Sequence, residues 1–360
     1  MPPSAPIARR RNTLSSSLGL GEKLFASSDE RKFANAIEDG LAAVEAGLLE
    51  QMSFTDDLAD VTSRYLLEAG GKRVRPVLTL LTAQLGDGNN DAVISAAQAI
   101  EITHLASLYH DDVMDEAQMR RGVPSAQNVW GNSVAILTGD LLFARASKII
   151  SSLGEAAIQL QADTFERLCL GQLHETIGPR PGEDPIAHYL RVLADKTGSL
   201  IATAGQVGVL FSNASDEYIQ PVVQFGERIG VAFQLIDDVI DLAPRLDDTG
   251  KTPGTDLRAG VATLPLLYLR ELAETDDGAA QLLRRIDHDV NTAFYDEADA
   301  DSADLSAAID ELREHEVTRR TLAEAHRWAD DAVAALIPLP DGPVKKALTR
   351  FAGTIVERSS

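Results

Sequence analysis

From about Arg31 onward, apolar residues recur every three or four positions, and no stretch alternates apolar with polar for more than a few residues. Alternation is what a half-buried strand requires; three-and-four spacing lays one apolar stripe along a helix. A chain written this way packs helix on helix. The segment GDGNNDAVISAAQAIEITHLASLYHDDVMDEA reads as a turn, an Asp or Asn cap and a long helix. Further helices are expected over 133–153, 156–176, 186–210 and 217–242, separated by the Gly- and Pro-bearing loops RRGVPS, GPRPGEDP and APRLDDTGKTPGTDLRAGVATLP. Aromatics make up only 5% of the chain, which suits helices better than sheets. The expectation is an all-α protein: one helical domain over residues 31–360, preceded by a disordered tail over residues 1–30.

Charge narrows the partners. A net charge of −22 argues against nucleic acid, whose phosphates need Lys and Arg, and against docking on an anionic membrane. No run is long and apolar enough for a transmembrane helix. The lone cysteine, Cys169, excludes an internal disulfide and fits a reducing, cytoplasmic setting.

Against this background one pattern stands out. DDVMD (Asp111, Asp112, Asp115) and DDVID (Asp237, Asp238, Asp241) each interrupt an apolar helix. Residues i and i+4 share a helix face, so Asp111 and Asp115 point the same way and Asp112 lies about 100° around. A single acidic pair at this spacing is ordinarily a solvated face. Two near-identical copies inside apolar runs are not, because clustered carboxylates there repel and are costly. A hard divalent cation is the simplest offset: Mg²⁺ takes oxygen ligands, typically a few carboxylates plus substrate phosphates. If the two helices faced each other, the triplets would be two walls of one cavity.

Cations concentrate elsewhere. GGKRVRP packs Lys72, Arg73 and Arg75 behind two glycines, RRG brings Arg120 and Arg121 just after the first triplet, and DKTG and GKTPG add Lys196 and Lys251. Each basic loop alone is commonly just solvated. Together they suit phosphate groups, held directly by Lys and Arg. His104 lies seven residues before Asp111, two turns away on the same side, and Gln234 lies three before Asp237; both are polar residues in apolar helices. From spacing alone His104 reads equally as a histidine satisfied in the core, and Tyr109 and Met119 read as packing.

GGKRVRP, DDVMDEAQMRRG, GQLHET, DKTG, FQLIDDVID and GKTPGTDL follow one another in the order found in trans-isoprenyl diphosphate synthases, the polyprenyl synthetases, and the chain resembles that family over about Leu66 to Leu267, most closely its actinobacterial long-chain branch. The resemblance implies the isoprenoid synthase fold, a helical bundle around a central cavity, and a homodimer. It implies about three Mg²⁺ per site, for which Mn²⁺ substitutes. Asp111 and Asp115, supported by Asp112, would hold metal on the allylic diphosphate. Asp237 would hold a further ion, assisted by Asp238 and Asp241. Lys72, Arg75, His104 and Arg121 would bind isopentenyl diphosphate; Arg120, Lys196 and Lys251 would contact the allylic diphosphate; Thr197 and Gln234 would line the reacting region. The family commonly has one more lysine just before its TLP; here Val261 stands there.

The implied reaction is the successive head-to-tail condensation of isopentenyl diphosphate with an allylic diphosphate, without a nucleophilic triad. Ala106 and Ser107, five and four residues before Asp111, are small where short-chain members tend to be bulky, so the expected all-trans product is longer than C20, a quinone side-chain precursor; Phe143 or Phe165 would floor the tunnel. The alternatives are a geranylgeranyl or farnesyl diphosphate synthase, a non-catalytic regulatory subunit of a heteromeric synthase, a terpene cyclase, and an acidic Ca²⁺-binding helical protein. The intact pair of triplets and GGKRVRP argue against the last three.

Overall fold

The structure, a computed structural model, describes residues 28–243, 253–295 and 303–357. Residues 1–27, the larger part of the expected tail, lie outside the described residues, as does Lys251. The described elements are almost entirely helical: α1 (Ser28–Gln51), α2 (Asp57–Glu68), α3 (Val74–Ala83), α4 (Asp91–Met114), α5 (Ala126–Trp130), α6 (Asn132–Ser151), α7 (Glu155–Ile177), α8 (Pro185–Leu193), α9 (Ser199–Phe211), α10 (Ile219–Asp241), α11 (Thr255–Arg258), α12 (Leu264–Leu272), α13 (Asp277–Tyr295), α14 (Ala303–Glu314), α15 (Glu316–Ala335) and α16 (Pro343–Val356). The all-α expectation holds.

Two details depart from the sequence reading. RRGVPS is not a plain loop: β1 (Met119–Arg120) and β2 (Val123–Pro124) pair as a minimal antiparallel hairpin, which leaves Met119 exposed rather than packed. Its turn holds Arg121 at φ 53°, the conformation that two-residue hairpins require. The expected helix over 186–210 is broken by a π-helical turn at Ala194–Gly198, the DKTG segment itself. Such turns arise where a helix is widened, frequently at functional positions.

Contacts divide the chain into two compact units. The first comprises Met1–Glu166, Leu200–Gly226 and Ala335–Phe351. Its axis is α4, capped at Asn90, whose side chain accepts the Val93 N–H. Apolar all round, α4 is buried on nearly every side, including Ile102, Leu105, Ala106 and Tyr109. Each fully buried Leu or Ile there contributes about 2 kcal/mol. Helix α6 lies against it, and a Cβ on Gly139 would come within 2.3 Å of His110 and 3.1 Å of the Ala106 carbonyl. Only glycine admits that approach.

The second unit comprises Arg167–Ser199, Glu227–Ala334 and Ala352–Ser360. In it the C-terminal half of α7 runs directly against the π turn, and a Cβ on Gly171 would sit 2.7 Å from the Lys196 nitrogen. Helices α8 and α12 pack together, as do α13 and α14. Among the described residues no helix is long and apolar enough to cross a membrane.

Candidate active site

In the first unit, α4 carries His104, Asp111, Asp112 and, at its C-cap, Asp115. The triplet is not three equal carboxylates. Asp112 is fully buried; its Oδ1 accepts from Arg120 Nε at 2.6 Å, while its Oδ2 is buried with no hydrogen-bond partner. Burial raises its pKa, opposed by the Arg120 charge. Asp111 is partly exposed and Asp115 exposed. The neighbouring Tyr109, read as packing, is fully buried; its hydroxyl donates to the Thr62 carbonyl and accepts from the Leu66 N–H at 3.3 Å.

The same unit gathers the cations. The His104 imidazole is held well below its usual pKa, first by burial, then by the charges of Arg75, Arg121, Arg120 and Arg73. It is thus a neutral ring among four guanidiniums, which bears on the ambiguity left by its spacing. Arg75 is lowered to about 10 by burial, while Glu101 and Asp111 support its charge; its Nε is buried with no hydrogen-bond partner. Arg121 donates to the carbonyls of Leu66, at 2.9 Å, and Gly70. Lys72 is exposed.

Arg73 behaves differently from its neighbours in GGKRVRP. At φ 51°, and only 7% exposed, it donates to Glu45 at 2.5 Å, to Glu101 at 3.3 Å and to the carbonyls of Gly70 and Leu67. It anchors the loop. Glu101 was missed in the sequence, although a carboxylate three residues before His104 in an apolar run was a legible signal.

Ala106 is fully buried beside α6, and Ser107, 8% exposed, returns its hydroxyl to the His104 carbonyl at 2.9 Å. Phe143 and Phe165 meet in a tilted contact with ring centroids 4.6 Å apart, and the His110 ring centroid lies 5.6 Å from that of Phe143. Phe165 is 37% exposed.

In the second unit the triplet divides in the same way with different partners. Asp238, 5% exposed, accepts from the Tyr189 hydroxyl at 2.8 Å and the Leu264 N–H at 3.3 Å. Burial raises it to about 8, with both donors opposing the shift. Asp241 accepts the Asp256 N–H at 3.1 Å through its side chain and the Gly254 N–H at 2.7 Å through its carbonyl, docking α11. Asp237 and Gln234 are partly buried.

The π turn presents Lys196 and Thr197, both partly buried. Lys196 pairs with Glu175 at 2.5 Å. Asp195 is held by Arg167, which also reaches Glu227 at 2.6 Å. Arg167 and Glu175 were not singled out from sequence, since both are ordinary surface charges by position. Val261 is 42% exposed.

The donor set suits a hard divalent cation: each triplet offers only carboxylate oxygens, and one of Asp112's is buried with no hydrogen-bond partner. Among the described residues no three His, Cys, Asp or Glu side chains form a ready-made metal cluster.

Comparison with known proteins follows the same lines. Residues 56–297 match the model of the polyprenyl synthetase family. The chain is 42% identical to the nonaprenyl diphosphate synthase of Mycobacterium tuberculosis over 327 residues, covering 91% of this chain and 94% of that one. It superposes with a TM-score of 0.76, at 40% identity, on the geranylgeranyl pyrophosphate synthase of Corynebacterium glutamicum complexed with calcium and isoprenyl diphosphate, covering 91% of this chain and 98% of that one. For the decaprenyl diphosphate synthase of Rhodobacter capsulatus the TM-score is 0.77 at 31% identity, covering 92% and 99%.

Proposed function

The chain belongs to the polyprenyl synthetase family and is a trans-prenyltransferase; from that premise we propose the parts its residues play in extending an allylic diphosphate with isopentenyl diphosphate to an all-trans product longer than C20. The observation that carries the reading is the cationic cluster of Arg75, Arg120 and Arg121 around a neutral His104, on the helix that ends in Asp111 and Asp115.

In this reading Lys72, Arg75, Arg121 and His104 bind the diphosphate of isopentenyl diphosphate. The guanidiniums match phosphate oxygens in forked pairs, and the imidazole adds a donor. Arg120, Lys196 and Lys251 bind the allylic diphosphate, and the Lys196–Glu175 pair gives way to it. Asp111 and Asp115 hold divalent cations and Asp237 holds a further one, proposed as Mg²⁺ and replaceable by Mn²⁺. Bound there, these ions supply positive charge where the leaving diphosphate develops negative charge. Asp112, through its ion pair, aims Arg120.

The carbon–oxygen bond of the allylic substrate breaks and releases diphosphate, the alkene of isopentenyl diphosphate attacks the allylic cation, and a proton passes to the departed diphosphate to restore a double bond. The chain's own part is electrostatic and positional: cations fixed in place, with Thr197 and Gln234 beside the reacting carbons. The small pair Ala106 and Ser107 leaves room for the growing tail, and Phe143 with Phe165 closes that path. The long product is supported by the similarity to the nonaprenyl and decaprenyl enzymes; the geranylgeranyl enzyme at 40% identity favours the second reading, a C20 product. We further propose a cytoplasmic homodimer, supported by exposed apolar residues such as Leu137 on α6.

The test is the purified chain alone, assayed with Mg²⁺, labelled isopentenyl diphosphate and a panel of allylic primers. Products longer than C20 are expected. A ladder ending at C20 selects the second reading, and no elongation with any primer defeats the assignment of a self-sufficient synthase.

A further inference from the structure

The second triplet contains a carboxylate that the proposed reaction leaves without a task. Asp238 lies at the junction of three helices of the second unit. It projects from α10, accepts a hydrogen bond from the hydroxyl of Tyr189 on α8, and accepts another from the N–H of Leu264, the first residue of α12. At 5% exposure it has little contact with water or ligand. Its two neighbours in the triplet, both partly exposed, are also unequal: Asp241 docks α11, and Asp237 carries the proposed metal-holding role.

Adjacent residues on a helix are separated by about 100° around the axis, so clamping Asp238 sets the direction in which Asp237 points. The clamp also reaches the other functional segment of this unit. Tyr189 lies on α8, which passes without a break into the π turn bearing Lys196 and Thr197. That turn is fixed from its far side by Arg167 through Asp195. This phenol–carboxylate hydrogen bond therefore links the segment that holds Lys196 to the helix that holds Asp237, at the Asp237 end of that helix, while Arg167 bridges the same turn to Glu227 further back along it.

We propose that Tyr189 is a positioning residue for the reaction: through Asp238 it fixes the rotation of α10 that presents Asp237 and the register of α10 against the Lys196 turn. The proposal rests on the reading of Asp237 as a metal-holding residue. Tyr189 touches no reacting atom. Its role resembles that of the outer partners that orient metal-binding side chains, whose loss costs about 10- to 100-fold in metal affinity or activity.

The experiment uses the full chain and Mn²⁺ as the probe, with its binding followed by electron paramagnetic resonance in the presence of inorganic diphosphate. Tyr189→Phe keeps the ring and removes the hydroxyl. The expected result is Mn²⁺ binding weakened roughly 10-fold or more and a comparable fall in kcat, with KM for isopentenyl diphosphate within about two-fold of the parent. Mn²⁺ binding within about two-fold of the parent overturns the proposal, whatever happens to kcat. Asp238→Asn and the double variant give the second arm. If Tyr189 acts through Asp238, the double variant binds Mn²⁺ no more weakly than the worse single variant; losses that multiply overturn it. Asp237→Ala separates the two levels of the argument. Full turnover in that variant defeats the reading beneath the proposal, whereas lost turnover beside an unaffected Tyr189→Phe defeats the proposal alone.

Discussion

The two aspartate triplets differ by one residue in five, Met114 against Ile240, yet their middle carboxylates are stabilised in unlike ways. Asp112 relies on one charged partner, Arg120, and keeps an oxygen with no hydrogen-bond partner. Asp238 relies on two neutral donors, a phenol and a backbone N–H. The first arrangement keeps charge beside the carboxylate, with Arg120 paired to it and Arg121 adding to the positive field. The second removes a carboxylate from the site and uses it to join helices. A repeated motif thus repeats a helix geometry, while the residues brought against it assign the role.

The largest expected effect breaks the comparison outright. Asp111→Ala with Asp115→Ala should lower turnover by roughly 10³-fold or more, with the helical circular dichroism unchanged. Turnover near that of the parent would remove the first triplet from the chemistry.

Next comes the difference between a charged and a neutral clamp. Arg120→Ala leaves Asp112 buried without its counter-ion and should cost about 3 kcal/mol, at the low end for a broken buried pair because Arg120 is 31% exposed. Tyr189→Phe removes one of two donors and should cost about 1 kcal/mol. Urea denaturation measures both, and equal losses would erase the distinction.

Acid–base behaviour sharpens the contrast, because the two regions respond to pH with opposite sign. His104 is held well below its usual 6.5, so under mild acid the unfolded chain binds a proton that the folded chain refuses. Its contribution to stability is present above pH 6.5 and lost as the pH falls from there. Asp238 is raised from 3.8 to about 8, so the folded chain keeps a proton that the unfolded chain has released. Its contribution is present below pH 3.8 and lost as the pH rises through about 8. In metal-free protein, His104→Gln should flatten the rise of stability with pH below 6.5, and Asp238→Asn the fall of stability between about pH 3.8 and 8. Unaltered slopes in both variants would contradict the assigned environments.

The smallest effect on rate is the most specific. Ala106→Phe places a ring one turn before the first triplet and should shorten the product while leaving the first condensation nearly intact. Product lengths by chromatography check it, and an unchanged ladder would remove Ala106 from the path of the tail.

Much of this was legible in the chain itself. Helical period follows from which residues are apolar, a local property, so the all-α fold could be read from spacing, as could the Asn90 cap and the shared direction of Asp111 and Asp115. Clustered carboxylates and cations announce phosphate and metal chemistry for the same local reason. What spacing could not supply was partnership. Arg73 and Arg75 stand two apart at the start of α3, yet one anchors the backbone and the other keeps its Nε without a hydrogen-bond partner. Tyr189 and Asp238 stand far apart in the chain and meet in the fold. The π turn at DKTG lies where α7 comes against the Lys196 backbone at Gly171, a contact between segments distant in sequence. Residue type and period determine which elements form and which charges must be answered; which group answers each charge is decided only when helices distant in sequence pack, since burial and a partner at hydrogen-bond distance are properties of the packed state.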